Sequence, residues 1–388
     1  MKIRPIYMDH SATTPVREEV LEAMMPYFMN LYGNPSSVHA FGRDVRRAVD
    51  QAREKTAQAL GADPSEIYFT AGGTESNNIA LRGTAKKRGG KGHIITSGIE
   101  HHAVFDVCRD LEDEGFTVTY LPVDNFGLVD VAAVEAALTP GTFMVSIMAA
   151  NNEVGTIQPI REIGALLKER DVLFHTDAVQ VVGQLPINVR ELNVDFLSLS
   201  AHKFNGPKGI GALYMRKGVS VTPLYRGGGQ ERKLRPGTEN VPGIIGLSTA
   251  LCLAVAELPQ KTNLLLSLRD RLIKGLMQID EVILNGHPEL RLPGNANFSF
   301  KHIEGESILL SLDLEGVAAS SGSACSSGSL EPSHVLSAIG LDHATAHGSL
   351  RFSLGYRSSE EDVDYVLRIM PSIVTKLRNM SPTYKPGQ

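Results

Sequence analysis

The sequence has 388 residues, of which 42% are hydrophobic, enough for a sizeable core in one large and one smaller domain. A net charge of −5 and a pI near 6.2 argue against nucleic acid as the main partner. We find no long apolar run and no charged-then-apolar leader, so we expect a cytoplasmic protein that spans no membrane. The three cysteines, Cys108, Cys252 and Cys325, lack metal-like spacing and fit a reducing compartment without disulfides.

Helices and short strands alternate through the first half of the sequence. Residues 1–15 predict an extended, turn-rich arm, and Pro15 opens a helix predicted to run to about Phe28. An amphipathic helix is predicted at 40–60, where Gly61 ends it. Strands are predicted at 67–70, 93–97, 117–122, 144–149, 172–176, 195–200 and 210–215, with helices near 131–138 and 160–170. This alternation indicates an α/β fold with a largely parallel sheet, which binds ligands at the carboxyl ends of its strands.

Two of the predicted strands are followed by candidate binding residues. Gly73 and Thr74 come after strand 67–70 and before a helix, where free N–H groups suit a phosphate. A plain turn between strand and helix explains the same residues. His101 follows strand 93–97, and its flat ring is suited either to stacking on a cofactor or to capping the next helix.

The end of strand 195–200 carries the most specific pattern. Ser200, His202 and Lys203 lie there, before a turn at Gly206-Pro207. A lysine among apolar residues loses hydration, which lowers its pKa and makes it a nucleophile toward an aldehyde. A surface lysine is the alternative, but Ser-x-x-Lys after an apolar strand resembles the Schiff-base segment of pyridoxal-phosphate (PLP) enzymes.

Asp177 and Gln180 follow strand 172–176 and fit the same interpretation. A carboxylate facing the pyridine nitrogen of PLP keeps that nitrogen protonated, and Gln180, one helical turn further, can reach the ring hydroxyl. A helix cap is the alternative for Asp177. Its position one strand–helix–strand step before Lys203 is the reason to pair the two residues.

The second half of the sequence predicts a basic glycine-rich loop, two long helices and a smaller α+β unit. The loop at 226–240 suits either a phosphate or solvent, and the helices at 241–258 and 259–275 form the crossover. Short strands are predicted at 297–300, 317–319 and 351–353. We therefore predict a large domain at 16–258 and a small domain made of 1–15 and 259–388.

A serine- and glycine-rich loop at about 320–332 contains Cys325. Its composition predicts mobility, which would let a thiolate swing to a substrate and away again. An incidental exposed cysteine is the alternative. Cys108 and Cys252 lie in helical apolar patterns and are expected in the core.

Taken together, these motifs resemble the cysteine desulfurases of the NifS/IscS type, in the aminotransferase class V branch of fold-type I PLP enzymes. The resemblance covers nearly the whole chain. It is carried by Asp9 to Pro15, Gly72 to Asn78, Glu100-His101, Asn151 to Gly155, His175 to Gln180, Ser198 to Lys203, Arg235 to Asn240, Ser321 to Ser326 and Arg351 to Leu354. Longer relatives continue beyond the last helix with a tail that helps to dock a scaffold protein, so we expect weaker scaffold docking here.

The resemblance implies a role for each candidate residue. Lys203 would carry PLP, His101 would stack on its ring and is a candidate proton shuttle, and Asp177 and Gln180 would face the ring nitrogen and hydroxyl. The phosphate would be bound by Gly73, Thr74, Ser200, His202 and, from the other subunit of a homodimer, Thr238. Asn152 would lie beside the ring, Arg351 would bind the substrate carboxylate, and Cys325 would accept sulfur.

The reaction implied is the removal of sulfur from L-cysteine, giving L-alanine and a persulfide on Cys325. The sulfur would pass to an iron–sulfur scaffold protein or another acceptor, with tRNA thiolation as a further destination. The alternatives are a selenocysteine lyase or another class V lyase or transaminase, and a non-catalytic sulfur-scaffold binder. The intact set of Lys203, Asp177 and Cys325 argues against the last.

Overall fold

The structure, a computed structural model, describes residues 5–321, 332–382 and 384–385. Its strands are β1 Ile6–Tyr7, β2 Ile67–Thr70, β3 His93–Ser97, β4 Thr117–Leu121, β5 Thr142–Ser146, β6 Leu173–Asp177, β7 Phe196–Ser200, β8 Gly211–Met215, β9 Val282–Asn285, β10 Asn295–Phe300, β11 Val317–Ala318 and β12 Ser349–Ser353. Its helices are α1 Glu18–Met24, α2 Pro26–Met29, α3 Ala40–Leu60, α4 Gly73–Arg88, α5 His102–Asp113, α6 Val131–Ala137, α7 Ile160–Lys168, α8 Val189–Leu192, α9 Val241–Ala256, α10 Leu258–Leu276, α11 Gly305–Leu314, α12 His334–Ala338, α13 His343–His347 and α14 Glu360–Met380.

The central sheet has seven strands in the order β2-β8-β7-β6-β5-β3-β4. Neighbours from β7 to β4 are parallel, whereas β8 is antiparallel to both β2 and β7. The carboxyl ends of β2, β3, β6 and β7 therefore meet at one edge. Most of the candidate cofactor residues of the sequence end or follow these four strands, and the prediction of a mostly parallel sheet is confirmed.

Helices cover both faces of this sheet, so its strands are buried on both sides. Successive residues of a strand point to opposite faces. Leu197 accordingly packs in the hydrophobic cluster that includes α3 and α9, while Phe196 packs in the cluster of α4 and α5. Burial on both sides holds the carboxyl-terminal edge rigidly, which suits a site built from several strand ends.

A separate hydrophobic cluster forms around the antiparallel sheet β12-β10-β9. It contains Phe298 and Phe352 together with Ile6 and Met8 from the amino terminus. The same terminus pairs in parallel with the 317–318 strand through β1. The division into 16–258 and 1–15 with 259–388 remains a prediction, and this second cluster supports it.

Most element boundaries differ from the sequence-based expectation by one or two residues, and two elements differ in a way that has a clear physical reason. The single helix expected from Pro15 to Phe28 is two helices, since Pro26 has no N–H to continue the hydrogen-bond ladder of α1. The strand expected at 144–149 lies at Thr142–Ser146. The apolar run there is buried throughout, so its hydrophobic pattern does not show where the strand ends. Within the described ranges no single helix is long and apolar enough to cross a bilayer; α9 and α10 reach that length only as a pair bent by 71°.

Candidate active site

Lys203 lies in a short 3-10 turn, Ala201–Lys203, directly after β7. Its side chain is half-buried, and Nζ donates hydrogen bonds to the main-chain oxygens of Ser11 and Ala12, the latter at 2.8 Å. The amino-terminal arm therefore folds over the lysine. The sequence pattern indicates the lysine's position at the end of a buried strand, but not these two carbonyl partners.

Asp177 ends β6, the strand next to β7, and is 6% exposed. One carboxylate oxygen accepts a hydrogen bond from Asn77 Nδ2 at 2.7 Å, and the other accepts one from the Val179 N–H at 3.0 Å. The second bond is the local capping contact expected of a strand-end aspartate. The first reaches across from α4 and fixes the direction in which the carboxylate points.

His101 immediately precedes α5, and its Nδ1 accepts a hydrogen bond from the Ala103 N–H at 3.0 Å. Such a bond assigns the proton of the neutral ring to Nε2. Burial lowers the pKa of His101, and the charge of Lys203 lowers it further, while Asp177 opposes both. The capping interpretation is thus confirmed, and stacking on a cofactor ring remains a prediction.

The Gly-Gly-Thr turn between β2 and α4 lines a cavity of about 680 Å³. The cavity is also lined by Ser200 and His202. A Cβ atom on Gly73 would lie only 2.6 Å from a methyl carbon of Val179, so the start of α4 approaches the strand ends as closely as a glycine permits. Unpaired N–H groups at a helix start favour an anion in this cavity.

His202 and Gln180 both contact the amino-terminal arm. His202 Nδ1 lies 3.1 Å from Thr13 Oγ1, and Gln180 Nε2 donates to the Ser11 oxygen at 3.0 Å. Burial, with the charges of Lys203 and Lys208, lowers the pKa of His202 to about 4. The ring is therefore neutral at pH 7.

Arg351 lies on β12 of the second sheet and is 2% exposed. Its Nη2 contacts Asp9 Oδ1 at 2.7 Å, and its Nη1 donates to the main-chain oxygen of Asn152 at 2.9 Å. The structure thus brings Asn152 and Arg351 together, as the sequence-based roles require. The partnership with Asp9 was not expected.

Two candidate residues are not part of this cluster as described. Thr238 is exposed in the basic loop, where its neighbours Gly237 and Glu239 line a cleft with Thr70 and Ala71. Cys325 lies outside the described residues. Cys108 is buried in the core, as expected, whereas the expectation of a core position is wrong for Cys252, which is half-buried on α9.

Sequence reasoning missed two contributors, Asn77 and Asp9. Both belong to motifs that carry the resemblance, but neither was given a role. Asn77 faces inward from the first turns of α4, where it is fully buried. An asparagine shortly before the apolar run Ile79 to Leu81 of that helix is the signal that could have indicated a buried amide in need of a polar partner.

Comparison with known proteins agrees with this arrangement. The family model "Aminotransferase class-V" matches residues 6–366. The chain is 58% identical over 380 residues to "Cysteine desulfurase IscS" of Methanosarcina thermophila, covering 98% of this chain and 94% of the relative. It superposes on a solved "NIFS-LIKE PROTEIN" with a TM-score of 0.91 at 42% identity, covering 96% of this chain and all of the other. A structure of "SspA in complex with cysteine" gives a TM-score of 0.81 at 42% identity, covering 90% and 98%.

The fold and the lysine-centred site define a PLP-dependent enzyme of aminotransferase class V. Within that class, the chain belongs to the cysteine desulfurase family. The resemblance and the fold class expected from the sequence are thereby confirmed. The residues present fit the cofactor of this class, because a lysine amine, a buried carboxylate and a cavity at a helix start lie together at one edge of the sheet.

Proposed function

We propose that this protein, a cysteine desulfurase, acts on L-cysteine through Lys203, Asp177, His101 and Arg351. The observation that carries the assignment of residues is the convergence of Lys203 and Asp177 at the carboxyl ends of adjacent parallel strands. The similarity to the solved structure of "SspA in complex with cysteine" supports the choice of substrate. L-Alanine is the expected second product.

PLP, when bound, supplies an electron sink for the charge that develops at the substrate α-carbon. Lys203 would hold it covalently through Nζ. Asp177, oriented by Asn77, would face the ring nitrogen with a negative charge, and His101, whose Nδ1 is used by the Ala103 N–H, would stack on the ring. Gln180 would bond the ring hydroxyl.

The cavity at the start of α4 would hold the phosphate group. Main-chain N–H groups of Gly73 and Thr74 and the hydroxyl of Ser200 would donate to it. A neutral His202 would add one further hydrogen bond without a full charge. Thr238 of a second subunit would complete the set.

The chain's own groups then carry the proton and the sulfur. Arg351 binds the substrate α-carboxylate, with Asn152 beside it. Lys203, whose Nζ is released when the substrate amine replaces it on the cofactor, takes the α-proton at that nitrogen. A thiolate of Cys325 attacks the substrate sulfur, so that the S–S bond of a persulfide forms as the carbon–sulfur bond breaks. The electron pair of that bond stays on the carbon skeleton, which is protonated and leaves as L-alanine.

The active unit is a homodimer. Its support is a group of exposed apolar side chains between α1 and α3: Met25, Phe28, Met29, Tyr32, Val38 and Phe41. Contiguous apolar surface of this kind is typical of a protein interface. Light scattering at micromolar concentration should give twice the mass of 42.0 kDa, and a monomeric mass would contradict this part of the proposal.

The persulfide sulfur passes to an iron–sulfur scaffold protein in a transient cytoplasmic complex, with tRNA thiolation as a further use. An assay with L-cysteine should yield L-alanine and, by mass spectrometry, a 32 Da addition to the peptide that contains Cys325. The Cys325→Ala variant should keep the bound-cofactor absorbance and lose sulfur transfer. Full desulfurase activity in that variant would instead favour a selenocysteine lyase or another class V lyase.

Borohydride reduction provides the test of the assignment itself. It should fix the cofactor to Lys203, as peptide mapping would show. Attachment to any other side chain would overturn the assignment of residues.

A further inference from the structure

The contact between Asp9 and Arg351 joins the amino-terminal arm to the second sheet. Asp9 forms a parallel bridge with Ser353, two residues beyond Arg351 on β12. The Ser353 N–H donates to the Met8 oxygen at 2.7 Å, and the Ser11 N–H donates to Ser353 Oγ at 2.8 Å. The main chain on both sides of Asp9 is therefore fixed, and its carboxylate has a defined position relative to β12.

The hydrogen bonds of Arg351 leave part of its guanidinium available. An arginine carries five N–H donors in a fixed plane. Asp9 Oδ1 takes one on Nη2 and the Asn152 oxygen takes one on Nη1. Within residues 5–321, 332–382 and 384–385, Nε is buried and has no hydrogen-bond partner. Among the described residues, Asp9 and the Asn152 oxygen thus take one N–H on each Nη nitrogen. The second N–H of each Nη, and not the buried Nε, remains for an incoming carboxylate.

A buried arginine needs a compensating charge. Removal of a cation from water is costly unless it is paired, and the side chain of Arg351 is 3% exposed against 20% for that of Asp9. Asp9 is thus both the charge that stabilises Arg351 in the apolar sheet and the acceptor that sets the orientation of its plane.

We propose that Asp9 is a positioning residue for substrate recognition: it holds Arg351 so that the remaining N–H groups meet the α-carboxylate of L-cysteine. Asp9 itself does not touch the substrate. The inference rests on the proposed role of Arg351 and goes beyond it, since it assigns carboxylate recognition to a pair of residues.

The arm that carries Asp9 also contacts the catalytic lysine. Three residues further along, the oxygen of Ala12 accepts a hydrogen bond from Lys203 Nζ, as does that of Ser11. The carboxylate and the proton that leaves are on the same substrate carbon. One short turn therefore sets the separation between the group that binds the carboxylate and the group that takes the proton, which is the geometry on which positioning depends.

The test compares L-cysteine with cysteamine, which is the same thiol and amine without the carboxylate. In the Asp9→Asn variant we expect the KM for L-cysteine to rise about tenfold with kcat changed less than about threefold. The apparent affinity for cysteamine, followed by the absorbance of the bound cofactor, should not change. Asp9→Glu keeps the charge and should retain part of the affinity that Asp9→Asn loses. In an Arg351→Lys background, the additional change Asp9→Asn should lower the affinity for L-cysteine little further.

Asp364→Asn serves as the matched control, since it removes an aspartate that pairs with Arg271 on the exposed face of the same small unit. It should leave both affinities unchanged. The proposal would be overturned if Asp9→Asn lost the same affinity for L-cysteine and for cysteamine, or if Asp9→Glu recovered none of the loss. Thermal unfolding of each variant shows whether the fold persists. Absence of alanine formation by the wild-type enzyme would instead defeat the proposed function.

Discussion

The side-chain amide of Asn77 donates a hydrogen bond of 2.7 Å to the carboxylate of Asp177, although 100 residues separate them in the sequence. Asn77 is on α4 and Asp177 ends β6, so the contact links the helix proposed to bind the phosphate to the carboxylate proposed to face the ring nitrogen. If both roles hold, the two binding functions are not independent. A change in the packing of α4 would then reach the cofactor ring through one amide.

Replacement of Asn77 by alanine tests this link. The buried Asp177 oxygen loses its donor, so the carboxylate is less firmly held in the direction in which we propose that it faces the ring nitrogen. We expect kcat for alanine formation to fall about tenfold or more, the effect of one lost hydrogen bond to a charged group. Asn263→Ala, at an exposed position of α10, is the control and should have no effect. Equal kcat in the two variants would show that Asn77 serves packing only.

The fit between Gly73 and Val179 gives a prediction about cofactor affinity. A Cβ on residue 73 would lie 2.6 Å from the Val179 Cγ2, and a β-branched side chain has little freedom to turn away. Gly73→Ala should lower the affinity for PLP about tenfold, within the usual cost of overpacking. The affinity of this variant for pyridoxal, which lacks the phosphate, should fall less than its affinity for PLP.

Val179→Ala supplies the rescue for that variant. It removes the methyl group concerned, so the double variant Gly73→Ala, Val179→Ala should bind PLP nearly as well as wild type in equilibrium dialysis. Failure of the rescue would mean that the glycine is needed for the close approach of the phosphate and not for the packing against residue 179.

A buried ion pair fixes the basic loop to the sheet. Arg53 Nη2 contacts Glu231 Oε1 at 2.6 Å, and Glu231 Oε2 accepts from the Phe69 N–H at 2.9 Å. Removal of one partner leaves the other buried and unpaired, so Glu231→Ala should lower the free energy of unfolding by about 3–5 kcal/mol. Asp50→Ala breaks an exposed pair with Arg46 and should cost less than about 1 kcal/mol. Urea unfolding measures both losses. A similar small loss in Glu231→Ala and Asp50→Ala would contradict the stabilising role of the Arg53–Glu231 pair.

The sequence allowed the order of elements and the principal reacting groups to be predicted, because both depend on local patterns. Lys203 and Asp177 could be placed at the ends of apolar strands, and parallel strands bring such ends to one edge. The pairs Asn77–Asp177 and Asp9–Arg351 could not be predicted, since they join residues 100 and 342 positions apart. Which side chains meet at that edge depends on the tertiary packing of α4 and the amino-terminal arm, which no local pattern encodes.

Buried titratable groups with opposite effects lead us to expect a stability maximum near neutral pH. Burial, with a smaller contribution from Asp177, raises the pKa of Glu100 to about 8, although Ser97 and the Met148 N–H bond to its carboxyl group. Burial likewise lowers the pKa values of three histidines to about 4; they are His10, His175 and His202. The histidines stabilise the fold fully above about pH 6.5, and this contribution is lost as the pH falls through 4.

Glu100 acts in the opposite direction, and its replacement isolates its effect. The folded state keeps its proton between about pH 4.5 and 8 while the unfolded state releases it, so the free energy of unfolding falls as the pH rises through this range. One proton corresponds to at most about 1.4 kcal/mol per pH unit. In urea unfolding at pH 5, 6.5 and 8, wild type should lose stability from pH 6.5 to 8, whereas Glu100→Gln should not. Both should lose stability from pH 6.5 to 5, where the histidines dominate. If the free energy of unfolding changed equally with pH above 6.5 in the two proteins, Glu100 would be ionised in the folded state.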